Sequence, residues 1–179
     1  MAKVNPGKDF ENDFKQSAEK HMFTYRLRDP AASFGNNDGN ENGLRFSWRN
    51  MCDFIAYSYP VCMLIECKSK AKASIPFTAI KSRATDTRVE QMAKESEMHK
   101  GLFAFVIINW RDQKNKTIAV PANLIVSFIN SCGADFGLNR KSIPFAWTVE
   151  HGIEIESRLK KIHYGYDTGR FVDGLKGLP

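Results

Sequence analysis

Residues 61–68 read VCMLIECK, an apolar run that closes on a carboxylate and an ammonium two positions apart. In a strand, successive side chains leave on opposite faces, so Glu66 and Lys68 share one face at the end of a buried segment. Upstream, Met51–Tyr59 is also apolar and partly β-branched, and Tyr59-Pro60 lies between the two runs. The spacing predicts two adjacent antiparallel strands. Asp53 begins the first and Glu66 ends the second, and a short hairpin can bring the two carboxylates to one edge of a sheet.

The neighbouring elements follow outward from this hairpin. Asn5-Pro6 reads as a helix cap followed by proline at the first helical position, and Phe10, Phe14 and Ala18 repeat at helical spacing, predicting a helix over 6–21. Met22–Leu27 alternates towards a strand before Asp29-Pro30 breaks it. Asp86–Lys100 reads as a helix with Val89, Met92 and Ala93 inward and Gly101 as its stop. Leu102–Trp110 is a long apolar strand expected at the sheet centre, covered on both faces. A turn at Asp112–Asn115 leads to a strand at Thr117–Val120, and Pro121 opens a helix to about Ser131. This order predicts an α/β protein with a mixed central sheet flanked by helices, a plan that suits an α/β nuclease or a small α+β binding domain. Gly35–Gly43 (GNNDGNENG) has no apolar residue and reads as a mobile loop or hairpin tip, and the Gly-rich stretch 164–179 is expected to be a flexible tail.

Composition narrows the classes. The 179 residues, 42% hydrophobic and 12% aromatic, suit one folded domain rather than a disordered chain. The longest apolar runs fall short of the ~18 residues that a membrane span needs, and the N-terminus has no apolar leader core, so a cytoplasmic protein without membrane contact is expected. Cys52, Cys62, Cys67 and Cys132 form no CxxC pair and read as core thiols. Twenty-six Lys and Arg against twenty acids give a net charge of +6, which favours a polyanionic partner. No phosphate-binding glycine loop, nucleophile elbow or paired-histidine motif is present.

The chemistry therefore concentrates on Asp53, Glu66 and Lys68. An Asp–Glu pair offers hard oxygens to Mg²⁺, and a lysine beside them can orient a water or stabilise developing phosphorane charge. That is the physical content of the PD-(D/E)XK nuclease pattern. After Glu66 the chain carries Lys68, Lys70, Lys72, Lys81 and Arg83 and meets no acid before Asp86. This is either a solvated basic loop or a track for backbone phosphates. Glu11 is an ordinary acid near a helix start or a third metal oxygen. Gln91 is an exposed helix residue unless its helix faces the site.

The chain resembles the RecU Holliday junction resolvases over about residues 5–166. The resemblance rests on NPGKDFENDF (5–14), CDFIA (52–56), LIECKSKAKASIPF (64–77), EQM (90–92), GLFAFVIINW (101–110) and RKSIPFAWTVEHGIEI (140–155). A second Ser-Ile-Pro at 74–76 stands where that family has a similar turn. The short form looks like a phage-encoded member. The resemblance implies a restriction-endonuclease-like core, a homodimer, dependence on Mg²⁺ or Mn²⁺, and cutting of opposed strands of a four-way junction. Its further implied partners are recombination or branch-migration proteins, in the cytoplasm of a bacterial host. Asp53, Glu66 and Glu11 would be metal ligands, and Lys68 and Gln91 the remaining catalytic residues. The alternatives are a related nuclease acting on other branched or duplex DNA, and a non-catalytic junction-binding protein. Two departures stand out. Cys52 replaces the family's threonine, and a thiol is a poor substitute for a hydroxyl at a hard-metal site. The stalk that enters the junction would be residues 29–50, glycine- and asparagine-rich at its tip, which leaves Arg45, Trp48 and Arg49 as its DNA contacts.

Deletion of Asn36–Asn42 separates a junction-reading stalk from an inert loop, because these polar residues can leave without touching an apolar core. The deleted protein is expected to fold and to nick DNA while losing its preference for junctions over linear duplex. Competition binding at fixed salt checks this, and an unchanged junction-to-duplex ratio places selectivity elsewhere.

Overall fold

The computed structural model describes residues 5–27, 50–80, 88–134 and 140–177. Helix α1 (Pro6–Ala18) starts as its sequence dictates: the Asn5 side chain accepts the Lys8 N–H, Pro6 occupies the first turn, and Phe10, Phe14 and Ala18 are buried. Strand β1 (Phe23–Arg26) follows, then β2 (Phe54–Ser58) and β3 (Val61–Lys70). A short strand β4 (Ser74–Pro76) and a single 3-10 turn (Phe77–Ala79) precede helix α2 (Arg88–Met98) and strand β5 (Leu102–Trp110). Gly101, between the last two, has φ +83°, the left-handed conformation that suits glycine after a helix. Next come β6 (Lys116–Pro121), α3 (Ala122–Ala134), β7 (Ser142–Pro144), α4 (Phe145–His151) and β8 (Ile153–Ile155). The chain ends in the hairpin β9 (Ser157–Lys160) and β10 (His163–Tyr166) and in helix α5 (Thr168–Lys176).

The expected mixed sheet is present, with six strands in the order β1-β2-β3-β5-β6-β8. β3 and β5 pair in parallel at its centre, and the other neighbours are antiparallel. A parallel pair cannot be joined by a tight turn, so the chain crosses over through α2. One face carries Phe54, Met63, Ile65, Cys67 and Phe105 against α1 and α5. The other carries Leu64, Val106, Ile108 and Trp110 against α2 and α3.

Two pieces of this plan lie beyond the sequence pattern. The two Ser-Ile-Pro tripeptides pair with each other, Ser74 opposite Pro144 and Pro76 opposite Ser142, with Ile75 and Ile143 facing each other, both fully buried. Proline contributes no donor to a ladder, which explains why this pair is confined to a short satellite sheet. The expectation of a flexible tail over 164–179 is corrected. Tyr166 is buried in the core, Asp167 caps the next helix by accepting the Arg170 N–H at 3.1 Å, and Phe171, Val172 and Leu175 are buried. Glycines suggested fraying, but Gly169 lies close under another side chain: a Cβ there would stand 2.9 Å from the His21 ring. Residues 29–49, the expected stalk with Arg45, Trp48 and Arg49, and residues 81–87, with Lys81 and Arg83, lie outside the described residues.

Phe171 meets Phe105 edge-on, with ring centroids 5.3 Å apart. Phe171→Ala is therefore expected to cost about 3–5 kcal/mol. Urea unfolding checks it, since the same change in a frayed tail stays within about 0.5 kcal/mol.

Candidate active site

The β2–β3 register sets Phe54 opposite Ile65 and Ile55 opposite Leu64. The ladder ends at that first pair; just before it the Asp53 N–H donates to the Ile65 carbonyl at 3.0 Å, one position off the ladder, which leaves Asp53 beside Glu66. Asp53 also accepts the Cys67 N–H on Oδ2 at 2.8 Å, so it closes the strand end with its own side chain. Alternation along β3 sends Glu66 and Lys68 to the face covered by α2. There the Lys68 ammonium donates to Glu66 Oε1 at 2.6 Å. Like charges directly opposite in a sheet repel, so a second cation is needed. Arg88, the first residue of α2, supplies it: its Nη1 lies 3.9 Å from Asp53 Oδ1 and 4.0 Å from Glu66 Oε2.

The Glu66 side chain is only 4% exposed, and its Oε2 has no hydrogen-bond partner. Burial raises its pKa above the usual carboxylate range; the Lys68 charge opposes this, Asp53 adds to it, and Arg88 opposes it. Two carboxylate oxygens thus point at one guanidinium without hydrogen-bonding it: Asp53 Oδ1 and the orphaned Glu66 Oε2. They are a hard, anionic donor pair of the kind Mg²⁺ or Mn²⁺ takes, and the residues present fit such an ion.

The other expected site residues fall differently. Glu11 is not brought to this pair. Its helix covers the Phe54–Ile65–Cys67 face, opposite to the one Glu66 and Lys68 leave from, and its carboxylate accepts a short bond from Arg26 of β1. It is close enough to act on the buried Cys67 thiol, which is pushed up by burial and then by Asp53, Glu11 and Glu66. Among the described residues no three His, Cys, Asp or Glu side chains converge as a metal-holding group, so Glu11 does not complete a triad. Gln91 is exposed one turn beyond Arg88 and makes no hydrogen bond to the carboxylates. Lys70 follows Lys68 on the same face, half-buried, and Lys72 is exposed past the strand end. Cys52 is 1% exposed, its Sγ–H donates to the Phe54 carbonyl at 3.2 Å, and burial raises its pKa to about 11. It remains a protonated thiol, a donor rather than a ligand. Cys52 and Cys67 are the core thiols expected, whereas Cys62 and Cys132 are half-buried, and all four are free.

Arg88 is the site residue that motif reasoning missed. Its signal is electrostatic: an arginine in the first turn of a helix faces the positive end of the macrodipole and calls for an acidic partner.

No family model matches the chain. It is 25% identical over 173 residues to the SPbeta prophage-derived uncharacterized protein YotM of Bacillus subtilis (strain 168), an alignment that takes in 93% of this chain and 84% of the relative. The similarity is to a prophage protein, in keeping with the expected phage connection. Among the described residues no helix is long and apolar enough to cross a membrane.

The raised Glu66 pKa has a stability consequence whose sign is fixed. A carboxyl that is easier to protonate in the folded state contributes stability fully below its unfolded pKa, near 4.5, and loses it as pH rises through the folded value. Glu66→Gln removes that loss, and Lys68 and Arg88 are exposed enough to be re-solvated. With divalent ions chelated, the variant is expected to melt about 2–4 °C above the parent at neutral pH. The gap should close near pH 4. Calorimetry across pH 4–8 checks it, and a gap that widens on acidification contradicts the assignment.

Proposed function

We propose that the protein is a metal-dependent DNA endonuclease of restriction-endonuclease-like type that resolves four-way junctions. In this reading it works as a homodimer in the cytoplasm of a phage-bearing bacterium, alongside recombination or branch-migration proteins. The observation that carries the reading is the Asp53–Glu66 pair itself: two neighbouring carboxylates where β2 begins beside β3, one buried with an unbonded oxygen and bonded to a lysine on the same strand. A purely structural pair has no use for an orphaned oxygen in a buried position.

The reaction is hydrolysis of a phosphodiester: water attacks phosphorus, the bond to the 3′ oxygen breaks, and a 5′-phosphate and a 3′-hydroxyl remain. A bound Mg²⁺ or Mn²⁺ would lower the pKa of a water and neutralise phosphate charge. Asp53 Oδ1 and Glu66 Oε2 would hold that ion. Asp53 is kept rigid by the Cys67 N–H, so its free oxygen is aimed before substrate arrives. Lys68, bonded to Glu66 by one of its three N–H groups, has the others to orient the attacking water or meet the developing charge. Arg88 neutralises the carboxylates in their absence of a cation and is placed to turn to a phosphate oxygen when one is bound. Two such sites related by a two-fold axis match the opposed strands of a junction. In this reading Lys70, half-buried, and Lys72, exposed past the end of β3, meet backbone phosphates.

One observation favours a second reading. Arg88 and Lys68 together balance both carboxylates, as they would in a non-catalytic junction-binding protein.

Incubation of the purified protein with a mobile four-way junction and matched linear duplex, with and without Mg²⁺, decides between them. Mg²⁺-dependent paired nicks in the junction are expected. Asp53→Asn should reduce cleavage at least about a hundredfold while binding stays within a few-fold, because lysines and arginines supply the affinity. Lys68→Ala should be similarly slow and not rescued by more Mg²⁺. Tight binding with no cut at any metal concentration establishes the non-catalytic reading, and full activity of either variant removes the site assignment.

A further inference from the structure

Away from the carboxylate pair, a groove of about 340 Å³ runs between the C-terminal end of α1 and the β9–β10 hairpin. Its basic side chains are Lys20 and His21, just past the α1 end, and Arg158 and Lys160 from β9. The hairpin register puts Arg158 opposite Gly165 and Lys160 opposite His163, so both basic side chains leave on one face. The other face is turned inward, where Tyr164 packs on the core and Tyr166 is buried.

Gly165 in the groove wall and Gly169 beside it leave room for these side chains. Lys160 lies across Gly165, where a Cβ would stand 2.9 Å from its Cε, and His21 lies across Gly169, where a Cβ would stand 2.9 Å from its Nδ1. The groove also contains Glu156 and Asp167, yet neither neutralises its cations. Glu156 is paired with Arg170 at 3.0 Å, and Asp167 caps α5. Among the described residues Lys20, Arg158 and Lys160 form no ion pair, although two carboxylates line the same groove.

Acids committed elsewhere and basic side chains left over are the electrostatics of an anion site. We propose that this groove binds the phosphodiester backbone of DNA as a contact separate from the cutting site. A narrow, concave groove with acidic residues in its wall admits one chain of phosphates. A sheet of anionic lipid headgroups is too broad to follow a groove into contact with all of these side chains at once. The identity of the partner as DNA rests on the endonuclease reading, while the uncompensated charge of the groove does not.

The test is the triple variant Lys20→Gln/Arg158→Gln/Lys160→Gln of the full chain, beside a control with Lys94, Lys100 and Lys114 changed to Gln. Fluorescence anisotropy measures binding of a labelled four-way junction and a linear duplex without divalent ions, across a salt series. Circular dichroism melting verifies that both proteins fold. The groove variant is expected to bind at least tenfold more weakly, with its salt slope reduced by about 2–3, close to 0.9 per lost phosphate contact. The control should change by less than about threefold, as expected for charges that meet no phosphate. With Mg²⁺, the groove variant should show a raised KM and an unchanged kcat. Affinity and slope equal to the parent's, or an equal loss in the control, would overturn the proposal, as would a parent protein that binds neither DNA. Binding by the parent to phosphatidylserine–phosphatidylcholine vesicles that the groove variant alone loses, with DNA affinity intact, overturns it in favour of a membrane. A parent that binds DNA but never cuts it ends the endonuclease reading, and the anisotropy comparison still decides the groove.

Discussion

Parallel pairing of β3 with β5, from Cys62 opposite Leu102 to Lys70 opposite Trp110, organises the molecule. Two strands running the same way must be joined by a crossover, so α2 is laid over one face of the sheet and its first residue comes down beside Glu66 within β3. The pairing also buries β3 and most of β5 on both faces, which requires α1 and α5 on the remaining side. The site is a consequence of this geometry. β3, apolar through Ile65, carries Glu66 where its neighbour β2 has ended, and the helix demanded by the crossover delivers Arg88 to the same place.

The energetics at that place run against stability. Glu66 is almost wholly removed from water, faces another carboxylate across the hairpin, and has one oxygen without a hydrogen bond. Lys68 and Arg88 offset the charge but do not satisfy that oxygen, because the guanidinium lies 4.0 Å away. A fold selected for stability alone would place an apolar residue there. In the proposed reading, that underbonded oxygen is the position left for an electropositive ligand.

Glycines in the C-terminal third act through contact rather than freedom. Gly165 and Gly169 lie under the side chains of Lys160 and His21, next to Tyr166, Phe171, Val172 and Leu175, which are buried. Composition alone made this region look loose, because a count of glycines cannot distinguish a residue that lets the chain move from one that lets another side chain approach. The Ser17 hydroxyl accepting the Tyr166 N–H and the Asp13 carboxylate accepting the Tyr164 N–H fasten the hairpin edge to α1.

The sequence by itself determined the elements whose information is local: α1 with its Asn5 cap and Phe10–Phe14 stripe, the β2–β3 hairpin, α2, and the apolar central strand. Because strand alternation is also local, it determined that Glu66 and Lys68 share a face. Only the tertiary structure decided what depends on residues far apart in the chain. It set Arg88 against the carboxylates through the crossover. It turned Glu11 to Arg26 on the opposite face, paired one Ser-Ile-Pro with the other, and folded the glycine-rich end into α5. The physical reason is the same in each case. Helical and strand periodicities reveal which side of an element is apolar, whereas the identity of the surface that covers that side is settled only when the elements pack.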